Sequence, residues 1–283
     1  MALRVPSCYA LKRLGESGKY RAWTSAYFIN SIALSDKAYT GLMFPGIGTI
    51  INITAIIAGA ILGRLGGNRI PERTRSLITD VLGFITLISA AAAIKELWND
   101  EFVRSTVQGG PILVVLISLI LGAIIGSWIN LDLRLTQMGE SLKRRFAKDD
   151  NSFVEGFVTA SLLFVIGPLA ILGSISDGMN KGIEQLLLKS SLDFFAAIAF
   201  SAAFGLGVLL SFLPVGIYQG SWTIIAIYLG NILSDAQVAA MTAVGGVLLL
   251  GIGFKLLNIR NVSVGNLLPA LVFAPIVLLL FQN

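Results

Sequence analysis

Eight apolar runs dominate this chain, and most are long enough to cross a bilayer as a helix, which takes about 17–25 residues. They are Phe44–Gly63, Leu77–Ile94, Pro111–Ile129, Phe153–Ile175, Ser191–Leu213, Gly216–Ile232, Val238–Leu257 and Leu267–Phe281. The sixth and eighth are the shortest and are interrupted by polar residues or proline. Lipid offers no hydrogen-bond partner to the backbone, so runs of this kind cross as helices. Composition agrees: 55% of residues are hydrophobic and 13% charged, whereas soluble domains carry about 25% charged residues. The expected fold class is an all-α polytopic membrane protein, with about eight transmembrane helices in one domain over residues 43–283.

Charge orients the runs. The loop after the first carries Arg64, Arg69, Arg73 and Arg75, and the loop after the third carries Arg134, Lys143, Arg144, Arg145 and Lys148. The loop between them sets Asp100 and Glu101 against Arg104. The positive-inside bias assigns the two basic loops to the cytoplasm. Lys255 and Arg260 share that side only if an even number of crossings intervenes, which requires the sixth run to cross fully. Both ends of the chain then fall outside. Residues 1–42 stand apart: they hold six of the 21 Lys/Arg, two of the 16 Asp/Glu, and only a weak apolar run, Ala22–Leu34. Translocating six cations opposes the same bias, so this extension is read as outside the fold, with Met43 as the start; a leader sequence is the other reading. The remainder is nearly neutral and leaves no basic face for nucleic acid.

Several chemistries are excluded. The chain has no histidine and one cysteine, Cys8. Ser-His-Asp hydrolysis, His-ligated metal sites, internal disulfides and CxxC chemistry are therefore absent. No Walker, Rossmann or HExxH pattern occurs. The expectation is a non-enzyme without a cofactor. Its expected partners are membrane lipids, a small ion or solute, and further copies of itself as a homo-oligomer.

Candidate functional residues are the polar groups set into apolar runs. An ionisable side chain at a helix centre costs roughly 2.5–3.5 kcal/mol on insertion scales, so it carries a structural or functional reason. Lys189 and Asp193 lie four apart, on one helix face. They are the one opposite-charge couple at that spacing inside an apolar run. Two readings are open: an ion pair that lets a charged helix end enter the membrane, or an ion site at which a cation competes with Lys189 for Asp193. Gly167-Pro168 interrupts the fourth run, and a broken helix exposes carbonyls able to coordinate a cation. Asp177 follows near the outer end of that run and Glu155 sits near its inner end. Asn52 and Thr54 are expected to hydrogen-bond to another helix, and Gln219 and Asn231 bracket the short sixth run. Asp193, Lys189, Glu155, Asp177, Asn52, Gly167, Pro168 and Gln219 form the candidate transport or ion site.

Two further patterns concern packing. Gly59-Ala-Ile-Leu-Gly63 recurs as Gly122-Ala-Ile-Ile-Gly126, each leading into a basic loop, which suggests tandem two-helix repeats or simply close helix contacts. Leu131 to Lys148 places Leu131, Leu135, Met138, Leu142 and Phe146 on one helical face between cations. This predicts an amphipathic helix on the cytoplasmic membrane surface or against a partner. Trp98 and Trp128 sit near run ends, where interfacial tryptophans concentrate.

The run GTIINITAIIAGAILGRLGGNRIPER from Gly48 to Arg73 resembles the opening of the YqgA-like bacterial membrane proteins, an uncharacterised family. IGPLAILGSISDG, then LLLKSSLDFFAAIAFSAAFGLGVLLS, then YQG resemble its second block. The resemblance runs from about Met43 to the C-terminus and implies a multi-pass protein of the bacterial inner membrane. That family often places a cysteine before the Gly-Pro pair; Val165 stands in that region here, a departure that puts a thiol role in doubt. Leu192–Val208 is also similar to a stretch of small LysE-type cation exporters, over too short a length to transfer a substrate. The leading functional expectation is a secondary transporter or channel for a small ion or solute. The alternative is a non-transporting sensor or assembly partner, and a lipid-acting enzyme comes third.

Overall fold

The computed structural model describes residues 44–67, 71–230 and 233–282. The expectations for residues 1–42, the Met43 start, Arg69 and Asn231 lie outside the described residues. From Pro45 onward the chain forms one unit, built from helices, with an isolated bridge between Thr106 and Gln282 as the only β pairing among the described residues.

The helices are α1 (Ile47–Gly67), α2 (Glu72–Ile94), α3 (Asp100–Arg104), α4 (Gly110–Ile129), α5 (Leu131–Phe146), α6 (Phe153–Val165), α7 (Pro168–Gly178), α8 (Glu184–Phe204), α9 (Phe212–Leu229), α10 (Asp235–Leu256) and α11 (Ala270–Phe281). Among the described residues, six continuous stretches are long and apolar enough to cross a membrane, or seven when α6 and α7, bent by 62° across Ile166-Gly167, count as one span. The longest stretch, Glu184–Leu229, has 46 residues. A helix of that length would measure about 70 Å, more than twice the hydrocarbon thickness of about 30 Å.

That stretch folds back on itself. Gly205 has φ +76, a backbone conformation that glycine adopts without a Cβ clash, and a 3-10 turn over Gly205–Ser211 leads into α9. Contacts with α1 give the direction of each arm. Leu186, Phe194 and Ile198 of α8 lie against Gly48, Gly59 and Gly63, so α8 runs parallel to α1. In α9, Gly216 lies against Ile53 and Gln219 against Asn52, while Thr223 reaches Gly178 near the start of α1, so α9 runs antiparallel. Counting both arms separately gives about eight candidate crossings among the described residues. Pro214, just before the sixth run, falls in the first turn of α9, where its missing N–H costs no helical bond.

The same reasoning places the loops. α2 and α10 are antiparallel, with Gly83 against Leu256 and Leu257 and Gly246 against Ile94. Arg64, Arg75, Lys148 and Asn258 consequently share one face with the 3-10 turn, and Glu96, Asp235 and the start of α1 share the other. The basic loops thus gather on one side, as the charge pattern requires.

Small residues set the closest contacts. A Cβ on Gly59 or Gly63 would overlap the carbonyl oxygens of Phe194 and Ile198, and on Gly122 or Gly126 the backbone of Ala270 and Asn266. Both glycine pairs are therefore contact faces, but α1 packs parallel to α8 whereas α4 packs antiparallel to the start of α11. Close packing accounts for the pairs without a repeat. The surface helix expected from Leu131 onward is α5, with Leu135, Met138 and Leu142 against the core and Gly139 on Phe157. Phe146 departs from that face; it is exposed, with the Arg145 guanidinium 5.6 Å from its ring. Asp132 fixes the start of α5: its N–H donates to Asn266 Oδ1 at 3.0 Å and its Oδ1 accepts from Gly265 N–H at 3.2 Å. Trp98 and Trp128 are exposed at helix ends.

Two measurements test this arrangement. In a Cys8→Ser background, Lys181→Cys and Asn258→Cys should react with an impermeant maleimide from opposite sides of the membrane; a single crossing by Glu184–Leu229 would put them on the same side. Gly63→Ala should lower stability in detergent by about 1–3 kcal/mol, because its Cβ meets backbone. Gly66→Ala, which meets nothing within 4 Å, should shift it by less than about 0.5 kcal/mol.

Candidate functional site

Three helix faces converge on a buried polar cluster. α1 contributes Thr49 and Asn52, α8 contributes Lys189 and Asp193, and α9 contributes Gln219 and Thr223. Spacings of three or four residues put each pair on one face of its helix. Lys189 Nζ lies 2.5 Å from Asp193 Oδ2. Asn52 Nδ2 donates to the same Oδ2 at 3.0 Å and to Gln219 Oε1 at 3.3 Å. Asn52 and Gln219 are fully buried, and Lys189 and Asp193 are 7% exposed. The pair lies inside the bundle rather than against lipid, and one amide ties it to both neighbouring helices.

The cluster also holds unspent hydrogen-bonding capacity. Asn52 Oδ1, Gln219 Nε2, Thr49 Oγ1 and Thr223 Oγ1 are buried and have no partner among the described residues. Buried polar atoms are ordinarily satisfied, and each orphan costs about 1–3 kcal/mol. Two of them belong to amides bonded in series to the ion pair, and the two threonines lie one turn from those amides on the same helix faces, which marks a place able to hold a polar guest.

Asp177 closes the outer end of the cluster. It is 3% exposed, and its Oδ2 accepts from Gly48 N–H at 3.0 Å. This carboxylate serves as the cap that the first turn of α1 lacks within its own segment, and it favours the positive end of the helix dipole. α7 also packs Gly173 on Leu186 and Gly178 on Thr223.

The remaining candidates lie elsewhere. Glu155 is exposed in the first turn of α6, a favourable place for an acid at a helix N-terminus. It lines a cavity of about 680 Å³ on the basic face with Glu72, Arg75 and Asp80, and so does not share a cavity with Lys189 and Asp193. Pro168 lines a smaller cavity, about 270 Å³, on the opposite face with Glu96, Asn99 and Asp235. No hydrogen bond among the described residues joins Gly167 or Pro168 to the pair. Thr54 is not an interhelical donor: it is exposed and its Oγ1 donates to Ile50 O of its own helix at 2.8 Å. Thr49 and Thr223 were not singled out from the sequence. Their spacing from Asn52 and Gln219 was the available signal, but threonines on an apolar helix usually donate to their own backbone, as Thr86 and Thr242 do here. No group of three or more His, Cys, Asp or Glu able to hold a metal occurs among the described residues.

If the pair is held by mutual neutralisation, Lys189→Met and Asp193→Asn should each destabilise the protein by about 3–5 kcal/mol, because each leaves a buried charge alone. The double variant should recover most of that loss in a double-mutant cycle read by thermal melts in detergent.

Residues 47–279 match the family described as "Protein of unknown function (DUF554)", and the chain belongs to that family. It is 32% identical over 231 residues to the uncharacterized membrane protein YdfK of Bacillus subtilis, covering 82% of this chain and 95% of that protein. It is 29% identical over 233 residues to the uncharacterized protein YqgA of Escherichia coli, covering 81% of this chain and 94% of that protein. No solved structure matches the chain. The resemblance to YqgA-like proteins is thereby shown, and the chain is a multi-pass membrane protein.

Proposed function

We propose that this protein is a secondary carrier or channel for a small ion or solute, resident in the bacterial inner membrane, and not an enzyme. One observation carries this reading: a buried ion pair is joined by Asn52 to a set of polar atoms without partners, between helices that cross the membrane. A purely structural ion pair needs its charges neutralised and its remaining hydrogen bonds filled. Lys189 and Asp193 meet the first condition, while Asn52 Oδ1, Gln219 Nε2, Thr49 Oγ1 and Thr223 Oγ1 leave the second unmet. A guest that crosses the membrane would fill it. Bacterial relatives and the gathering of Lys and Arg on one face support the location.

The amphipathic helix that motivated the assembly-partner reading spends its apolar face on α6 of the same chain, which weakens that alternative. The test is flux. Purified protein in proteoliposomes should move at least one member of a broad panel of ions and small metabolites. The folded double variant Lys189→Met/Asp193→Asn should move none of it. Flux that survives in the double variant would remove the site from the reading, and absence of any flux in the unaltered protein would favour a sensor or assembly role.

A further inference from the structure

We propose that the Lys189–Asp193 pair is an exchange site, at which one monovalent cation with a preference for oxygen ligands replaces one proton. This rests on the carrier reading above and names its substrate class. The ligand set decides the type of ion. Asp193 Oδ2 accepts from Asn52 Nδ2, the same nitrogen donates to Gln219 Oε1, and Asn52 Oδ1 is without a partner; Thr49 and Thr223 lie on the same two helix faces, and no sulfur or imidazole joins this hydrogen-bonded set among the described residues. Carboxylate, amide and hydroxyl oxygens suit hard cations. Asp177, at Gly48 one turn outward of Asn52, adds a second carboxylate and disfavours an anion.

Charge counting decides the stoichiometry. The pair is neutral as it stands. A cation entering while both groups stay ionised would leave one uncompensated charge among membrane helices, which is costly. Loss of the Lys189 proton removes it. The ammonium becomes an amine, its contact with Asp193 Oδ2 breaks, and the cation takes that oxygen as the proton departs. One positive charge enters and one leaves. The Asp177 carboxylate is engaged by the N-terminus of α1, so a divalent cation at Asp193 would still leave one uncompensated charge after the exchange. The amide of Asn52 fits either state: it presents Nδ2 to Asp193 beside Lys189, and a half-turn presents the unpartnered Oδ1 in the same position when a cation lies between two acceptors.

Few other ionisable groups face the pair. α8 packs against α1, α2, α6, α7 and the turn after its own end. On α1 the charged residue is Arg64, at the basic face beside Gly205. The acids and cations of α2 lie in its first three turns: Glu72, Arg75 and Asp80 line the basic-face cavity with Glu155 of α6, and Arg73 is exposed. On α7 there is Asp177, bonded to Gly48. On α8 itself, Glu184 lies in the first turn. On α9, Tyr218 adjoins Gln219 with its ring edge-on to Trp222. Lys189 is therefore the group whose proton is set directly against Asp193.

The full chain in proteoliposomes carrying a trapped pH dye tests this with inward gradients of Li⁺, Na⁺ and K⁺ salts. At least one ion should drive protons out of the lumen, at a rate that clamping the membrane voltage leaves unchanged, as expected for one-for-one exchange. Lys189→Arg keeps the ion pair and hence the fold, but a guanidinium cannot give up its proton. Exchange should fall to the rate of protein-free vesicles while the thermal melt stays near that of the unaltered protein. Exchange that persists in Lys189→Arg overturns the proposal. Cation uptake without proton release, or flux confined to uncharged solutes or anions, also overturns it but leaves the carrier reading intact. No flux across the whole panel overturns both.

Discussion

The parallel contact of α1 with α8 is the constraint from which the polar cluster follows. It is made by backbone: Gly59 and Gly63 face the carbonyls of Phe194 and Ile198, and Gly67 faces Ala202, at distances no Cβ would permit. In a bilayer, apolar side chains gain little by leaving lipid for protein, so helices associate where small residues allow close approach. The approach is reinforced by Ser201, whose hydroxyl donates to Ala60 O at 2.8 Å. Once α1 and α8 are in register over these residues, Asn52 is brought within hydrogen-bond reach of Asp193. The glycine pattern and the buried charge are thus parts of one arrangement.

The second dependency runs through the turn at Gly205. Its positive φ sends α9 back along α1, and that return supplies Gln219 to Asn52. Asp150 holds the turn at the basic face, accepting from Leu206 N–H at 3.4 Å and from Ser152 N–H at 3.2 Å. A straight continuation of α8 would leave Gln219 outside the membrane and Asn52 with one partner fewer. A break in the chain therefore completes the cluster, just as the break at Gly167, with φ +150, lets α7 tilt so that Asp177 reaches Gly48.

Much of this was legible in the sequence, for identifiable reasons. The crossings follow from apolar length, and their sidedness from Arg and Lys. Lys189 with Asp193 stood out because ionised residues are rare in such runs, Asn52 because a polar group on an apolar helix needs a partner on another helix, and Gln219 as a polar residue near the start of the short sixth run. What the sequence did not disclose depended on distance across the fold. Asp177 was legible as a candidate acid near the outer end of its run, but nothing local reveals that its carboxylate accepts from an amide 129 residues earlier. Glu155 looked comparable with Asp193, since hydropathy records its apolar neighbours but not its place in the first turn of α6. Thr49 and Thr223 were hidden by the ability of any helical threonine to satisfy itself on its own backbone, which Thr54 does.

The position of the cluster along the helices sets the two barriers that isolate it. Asn52 is five residues into α1, about 8 Å from its outer end and about 22 Å from Gly67. The longer barrier, toward the basic face, is glycine-mediated backbone contact between α1 and α8, closed by the 3-10 turn. Separating those helices would break many close contacts at once. The shorter barrier consists largely of α7, an 11-residue helix resting on Leu186 through Gly173, on Thr223 through Gly178 and on Gly48 through Asp177. It follows Gly167, where the backbone holds a conformation that a side chain would hinder. Both covers are packed: glycine-mediated backbone contact on the basic side, and on the acidic side a short helix that buries Ala170, Ile171, Gly173, Ser174, Ile175, Asp177 and Gly178.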